Sequence, residues 1–262
     1  MPTFSPPLLE RTHSTADVAE QRARIRAKVA PRHGERGLDV GCGPGFLACE
    51  LAHDVGPPGR MVGIDASSDM VVMSTERARR SALAGRTEFA VGDAVALHYP
   101  AKSFDFVTAV QVYQYVADLP RALGEAYRVL KPGGRLIVVD SGWDSCVWQA
   151  DDADRHARVL RAWEAHFVHP HLPARLPQLL SQAGFVFKSL SVVPVVNLHP
   201  DDTTYSGSLI DVVARFVNRK AGIPEDVARA WADDVRGQDL EGRYFFSLSR
   251  FLFLAQRPGT GA

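Results

Sequence analysis

Short apolar runs alternate with amphipathic stretches along the first half of the chain. The runs GLDVG (37–41), RMVGID (60–65), TEFAVGD (87–93), FDFVTAV (104–110) and RLIVVD (135–140) are bounded by polar or turn-forming residues. Their length and flanks predict five strands. Helical patterns lie between them: FLACELAHDV (46–55), closed by GPPG; a segment from Ser67–Asp69 to about Leu83, with good N-cap chemistry at its start; and LPRALGEAYRVL (119–130). KPGG (131–134) reads as a tight turn before the fifth strand. Upstream, STADVAEQRARIRAKV (14–29) carries Val18, Ile25 and Val29 near helical spacing, with Ser14 placed to cap it. This alternation predicts an α/β fold with a parallel sheet.

After Asp140 the alternation stops. Residues 144–168 read as mostly helical, with Trp143, Trp148 and Trp163 nearby. LPQLLSQAGF belongs to a helix over 172–185 ended by Gly184. A strand is expected over 186–196 and a helix over 208–222, with Leu209, Val212, Val213, Phe216 and Val217 on one face. A long strand is expected over 243–255, and AQRPGTGA is expected to fray. The pattern divides into an N-terminal helical cap (1–34), a core (35–140) and a region that completes the sheet and adds a helical lid (141–262), in one domain overall.

Composition narrows the partners. With 30 basic and 30 acidic side chains in 262 residues, the net charge is +0. No electrostatic footprint for a phosphate backbone exists, so nucleic acid is not expected as a partner. The basic patch ERARRS (76–81) reads as a solvated helix face. Cys42, Cys49 and Cys146 have no metal or disulfide spacing, which suits a reducing, cytoplasmic setting. MPTFSPPLLERTH lacks the pattern of a signal peptide, and no apolar run approaches the about 20 residues needed to span a bilayer. A monomer or homodimer without membrane attachment is expected.

The candidate chemistry starts at LDVGCGPG (38–45). Gly41, Gly43 and Gly45 follow the first strand and open the first helix, where open α/β sheets bind ligands. A plain strand-to-helix turn would show the same triplet. A dinucleotide fingerprint requires a third glycine where Phe46 stands, and Asp39 would repel a pyrophosphate. A nucleoside with a cation and no phosphate fits better. Asp65, 20 residues after Gly45, ends the second strand and suits ribose hydroxyls. Asp93 ends the third and suits an adenine amino group, with the Ala94 N–H available to the ring. Each acid alone also reads as a helix cap; three on successive strand ends point to a ligand.

These motifs resemble those of class I S-adenosylmethionine-dependent methyltransferases. LDVGCGPG is similar to that family's first motif, GIDASSDM (63–70) to its second, GDA (92–94) to its third, and residues 104–140 to its strand, helix and strand block. The resemblance covers roughly 35–140. It implies a Rossmann-like, mostly parallel seven-stranded sheet with helices on both faces, an antiparallel last strand and helical lid insertions. It also implies S-adenosyl-L-methionine as cofactor: Asp39, Gly41 and Gly43 along its methionine part, Asp65 at the ribose, Asp93 and Ala94 at adenine, Gln111 near the reactive methyl, and Cys42, Ala66 and Met70 as further cofactor-binding residues. AVQVYQ replaces the N/D-P-P-Y/F of the enzymes that methylate amino groups of adenine and glutamine, and no acid there suits a Mg²⁺-dependent catechol enzyme. What remains resembles small-molecule methyltransferases of quinone biosynthesis and natural products. An RNA or protein methyltransferase and a non-catalytic binding module are the alternatives.

A phenol or enol acceptor would need a general base. The cluster HFVHPH (166–171) supplies His166 and His169 as candidates; Pro170 bends the chain and no cysteine joins them, so no metal is expected. Tyr113 either orients the acceptor or packs under the following helix. Trp143 and Trp148 either wall an apolar pocket or anchor the lid. His13 and Gln21 of the N-terminal region, and Tyr205, are weaker candidates to approach the ligand.

Overall fold

A computed structural model describes residues 6–259. The chain divides into two compact units. One comprises the chain up to Gln21, Gly142–Pro170 and Val193–Arg250; the other comprises Arg22–Ser141, His171–Val192 and the chain from Phe251.

The second unit contains β1 (Arg36–Val40), β2 (Arg60–Asp65), β3 (Thr87–Val91), β4 (Phe104–Val110) and the start of β5 (Leu130–Trp148). β1 pairs in parallel with β2 and β4, β2 with β3, and β4 with β5. With β6 (Val186–Asn197) and β7 (Phe246–Gln256), the seven-stranded order is β3-β2-β1-β4-β5-β7-β6. The last strand is antiparallel, through reciprocal bonds between Gly133 N–H and Arg257 O and between Arg257 N–H and Gly134 O, each 2.9 Å. β1, β2 and β4 are buried almost throughout, as expected for parallel strands covered on both faces. The order reverses between β1 and β4, the switch point beyond whose strand ends α/β ligands bind.

The helices of this unit follow from spacing. α3 (Phe46–Asp54) and α4 (Ser68–Arg80) pack on β1–β3. α5 (Leu119–Val129) buries Leu119, Ala122, Leu123 and Ala126, a single helical stripe, and Asp118 caps it by accepting the Arg121 N–H at 3.1 Å. α7 (Leu172–Gln182) buries Leu172, Leu176 and Leu180, and Gly184 ends it at φ +89°.

The other unit contains α1 (Pro6–Ser14), α6 (Ala153–Trp163), α8 (Tyr205–Ala221) and α9 (Glu225–Leu240). Its core gathers Trp148, Trp163, Phe216, Trp231 and Phe246. The expected stripe Leu209, Val212, Val213, Phe216 and Val217 of α8 is buried there.

Several expectations need correction. The segment 14–29 is not one helix capped by Ser14. Ser14 is the last residue of α1, its hydroxyl donating to Glu10 O at 2.7 Å, and α2 (Ala16–Val29) starts beyond it. Ser67 stands at the N-cap of α4 but makes no side-chain cap bond. KPGG is not a separate turn: residues 131–134 bulge from a continuous β5, between the pairs Phe104–Leu130 and Phe106–Arg135. β5 runs to Trp148, so 144–148 is strand rather than helix. β3 ends at Val91, and Asp93 lies in a turn bridged to Ala96. α9 was not anticipated. The tail expected to fray stays in strand to Gln256, and its last three residues lie outside the described part.

Candidate functional site

Asp39 faces its register partner on β4, Thr108. The Thr108 hydroxyl donates to Asp39 Oδ1 at 2.7 Å. Asp39 is 3% exposed, and no cation pairs with it among the described residues. Burial raises its pKa to about 7, the Thr108 bond opposes that rise, and the charge of nearby Asp65 adds to it. A carboxyl held this way gains by meeting a cationic ligand.

Asp65 occupies the tip of β2. Its Oδ2 accepts the Gly43 N–H and its Oδ1 the Ser67 N–H, each at 2.9 Å. Each oxygen keeps a second lone pair for a hydroxyl donor. Gly41 lies between these acids at φ +66°, and a Cβ there would stand 2.3 Å from Val112 Cγ2. At Gly45, φ +81°, a Cβ would meet Ser74 Cβ at 2.6 Å, so this glycine serves the close approach of α4. Cys42 is buried beside Asp39 and Asp65, whose charges add to burial in raising its thiol pKa. It is a packed thiol rather than a nucleophile. Met70 is buried on α4, while Ala66 is exposed. Asp93 is exposed; its Oδ1 accepts the Val95 N–H at 3.0 Å, and Ala94 beside it is half-buried.

Gln111 follows β4 in the left-handed region, φ +57°, a conformation that costs energy in a residue with a side chain. Its Oε1 accepts from the Ser141 hydroxyl at 2.8 Å and from Gln114 Nε2 at 3.0 Å. Tyr113 is 1% exposed within the same core cluster as Leu119 and Ala122, and burial, then the charge of Asp140, raises its pKa.

Asp140, at the end of the RLIVVD run, is fully buried with neither oxygen in hydrogen-bond geometry with a donor. Burial raises its pKa well above the carboxylate range, and the Val112 and Gln114 N–H groups oppose this only in part. Its run ends in an acid, as the runs of Asp65 and Asp93 do.

The residues present fit a nucleoside carrying a positive group: two mutually repelling acids flank the glycine turn, and the more buried one lacks a counter-charge. The same acids oppose a phosphate.

His166 and His169 lie in the other unit. His166 stacks on Trp163 with centroids 4.4 Å apart and meets Phe216 edge-on at 4.9 Å. Burial lowers its pKa to about 4, so the imidazole is neutral near pH 7. His169 is half-buried. Among the described residues no group of three His, Cys, Asp or Glu is arranged to hold a metal, and no helix is long and apolar enough to cross a membrane. Trp148 belongs to this unit's core, its indole N–H donating to the Tyr244 hydroxyl at 3.1 Å, and Trp143 stacks on Phe167 at 5.0 Å. Both anchor that core.

A family described as "Methyltransferase domain" matches residues 31–179. The chain is 39% identical over 175 residues to the demethylmenaquinone methyltransferase of Symbiobacterium thermophilum, covering 59% of this chain and 70% of that protein. It is 32% identical over 233 residues to an uncharacterized 37.1 kDa protein in transposon TN4556 of Streptomyces fradiae, covering 86% of this chain and 63% of that protein. The chain thus spans less than two thirds of the Streptomyces fradiae protein. Phosphoethanolamine N-methyltransferase 2 of Haemonchus contortus, solved in complex with S-adenosyl-L-methionine, shares the fold at TM-score 0.63 and 21% identity, covering 98% of this chain and 57% of that one. The chain belongs to the class I S-adenosylmethionine-dependent methyltransferases.

Proposed function

We propose that the protein transfers a methyl group from S-adenosyl-L-methionine to an O, N or C nucleophile of a small aromatic or apolar metabolite. The observation that carries this reading is the buried Asp39 carboxyl without a counter-charge, beside Asp65 at the mouth of the glycine turn. Asp39, Gly41, Cys42 and Gly43 would hold the methionine part, with the Asp39 carboxylate meeting the ammonium. Asp65, with Ala66 and Met70, would take the ribose, Asp93 and Ala94 the adenine, and Gln111 would border the methyl.

The bound cofactor supplies a methyl group already activated on a sulfonium, which the acceptor displaces directly. The chain's own task is then alignment, which contributes up to about 7–11 kcal/mol in well-oriented reactions. Gln111, tied to Ser141 and Gln114, keeps a fixed orientation at the end of β4.

Transfer of radiolabelled methyl groups to a panel of phenols, quinols and amines tests the reading. Labelled product from at least one class supports it; intact cofactor with the whole panel, despite measured cofactor binding, refutes it.

A further inference from the structure

Strand β7 places Phe246, Leu248, Arg250 and Leu252 on its buried face. Period-two alternation therefore sets an arginine between two leucines where an apolar side chain is expected. Arg250 is 2% exposed. Its Nη1 donates to Gln21 Oε1, and its guanidinium lies over the Tyr205 ring, 4.3 Å from the centroid. Its Nε is enclosed and has no acceptor.

Other buried or half-buried arginines meet acids: Arg22 meets Glu50 at 2.9 Å, Arg135 meets Glu35 at 2.6 Å and Arg155 meets Asp234 at 2.9 Å. Arg250 meets none among the described residues. Asp17, the acid bonded to the Tyr205 backbone, is engaged elsewhere: it accepts from Asn197 Nδ2 at 2.9 Å, from Tyr205 N–H at 3.1 Å and from Val18 N–H at 2.8 Å. A guanidinium cannot shed its proton near neutrality. A buried, uncompensated charge is strongly unfavourable unless an anion joins it. The amide of Gln21 and the π-face of Tyr205 offset part of that cost and carry no negative charge. With Nη1 held by Gln21 and Tyr205 over the plane of the group, Nε is the in-plane donor left for a ligand, and an anionic oxygen of a carboxylate or phosphate matches it.

We infer that Arg250, with Gln21 and Tyr205, is a recognition site for an anion that bears a carboxylate or phosphate group. Gln21 and Tyr205 thus acquire a role as positioning groups for the guanidinium.

Calorimetry on the full chain with benzoate, phenyl phosphate and uncharged benzamide tests the site, and titration of S-adenosylhomocysteine on the same preparation tests the cofactor site separately. At least one anion is expected to bind about tenfold or more tightly than benzamide, as paired charge requires. Arg250→Gln is expected to lose that preference while melting no lower than the wild type, because it removes a charge without a counter-ion. A merely structural guanidinium would instead lower the melting temperature and leave no anion preference to lose. Equal binding of all three probes, binding of neither anion, or an unchanged preference in a folded Arg250→Gln overturns the inference. Should that variant fail to fold, the wild-type comparison decides alone. Anion preference without S-adenosylhomocysteine binding would uphold the site and refute the cofactor reading.

Discussion

Asp65 Oδ2 accepts the Gly43 N–H at 2.9 Å across 22 positions of sequence, tying the tip of β2 to the glycine turn after β1. One side chain thus shapes the loop and keeps acceptor capacity for a ribose. Asp65→Ala is expected to weaken S-adenosylhomocysteine binding by about 1–3 kcal/mol through lost and unpaired hydrogen bonds. Calorimetry measures this; wild-type affinity would remove Asp65 from the site.

Asp39 gives the site a pH dependence. Its folded pKa of about 7 lies above the ordinary carboxylate value of 3.8. The folded state therefore holds its proton longer than the unfolded chain, so stability falls as pH rises between about 4 and about 7. Asp140 acts with the same sign. A bound ammonium favours the charged carboxylate, so cofactor affinity is expected to rise with pH through about 7, with proton release on binding below it. Titration at pH 6 in buffers of different ionisation enthalpy reads that proton, and Asp39→Asn is expected to abolish its release.

His166 has the opposite linkage. Its folded pKa of about 4 lies below the ordinary 6.5, so the unfolded chain takes up the proton first and stability is lost as pH falls from about 6.5 towards 4. His166→Phe would keep the stack on Trp163 without a titrating ring. In thermal melts its loss of melting temperature between pH 7 and pH 5 is expected to be smaller than that of the wild type.

Gly41 has no room for a side chain. Gly41→Ala sets a Cβ 2.3 Å from Val112 Cγ2 at a φ of +66°. A cost of about 1–3 kcal/mol is expected from the clash and the backbone strain. Val112→Ala in the same chain is expected to recover the clash but not the strain, and a double-mutant cycle from denaturant melts separates the two.

The strand tips were legible because parallel strands are continuous apolar runs, so an acid at the end of one stands out. Asp65 and Asp93 stand out that way, Asp39 by its place two residues before the glycine turn, and Gln111 only through the family resemblance. The burial of Asp39 was not legible, since it depends on the pairing of β1 with β4 that sets Thr108 opposite. Asp140 carries the same signal as Asp65 and Asp93 but reads as a strand end. α9 held a readable stripe, Ala228, Trp231, Ala232 and Val235, amid charges that hid it. The bulge at 131–134 imitates a turn locally, and only its pairing with β7 keeps it in the sheet. Arg250 needed the structure, because sequence alternation cannot tell that the face it shares with Leu248 and Leu252 lacks an acid.

The central claim is that acids at the strand tips select a cationic nucleoside without phosphate. Calorimetric titration of the wild-type chain with S-adenosyl-L-methionine and, separately, with NAD tests it most directly. S-adenosyl-L-methionine is expected to bind with a Kd of about 1–100 μM, near 6–8 kcal/mol, and NAD negligibly. Tight NAD binding, or none by the sulfonium compound, would contradict it.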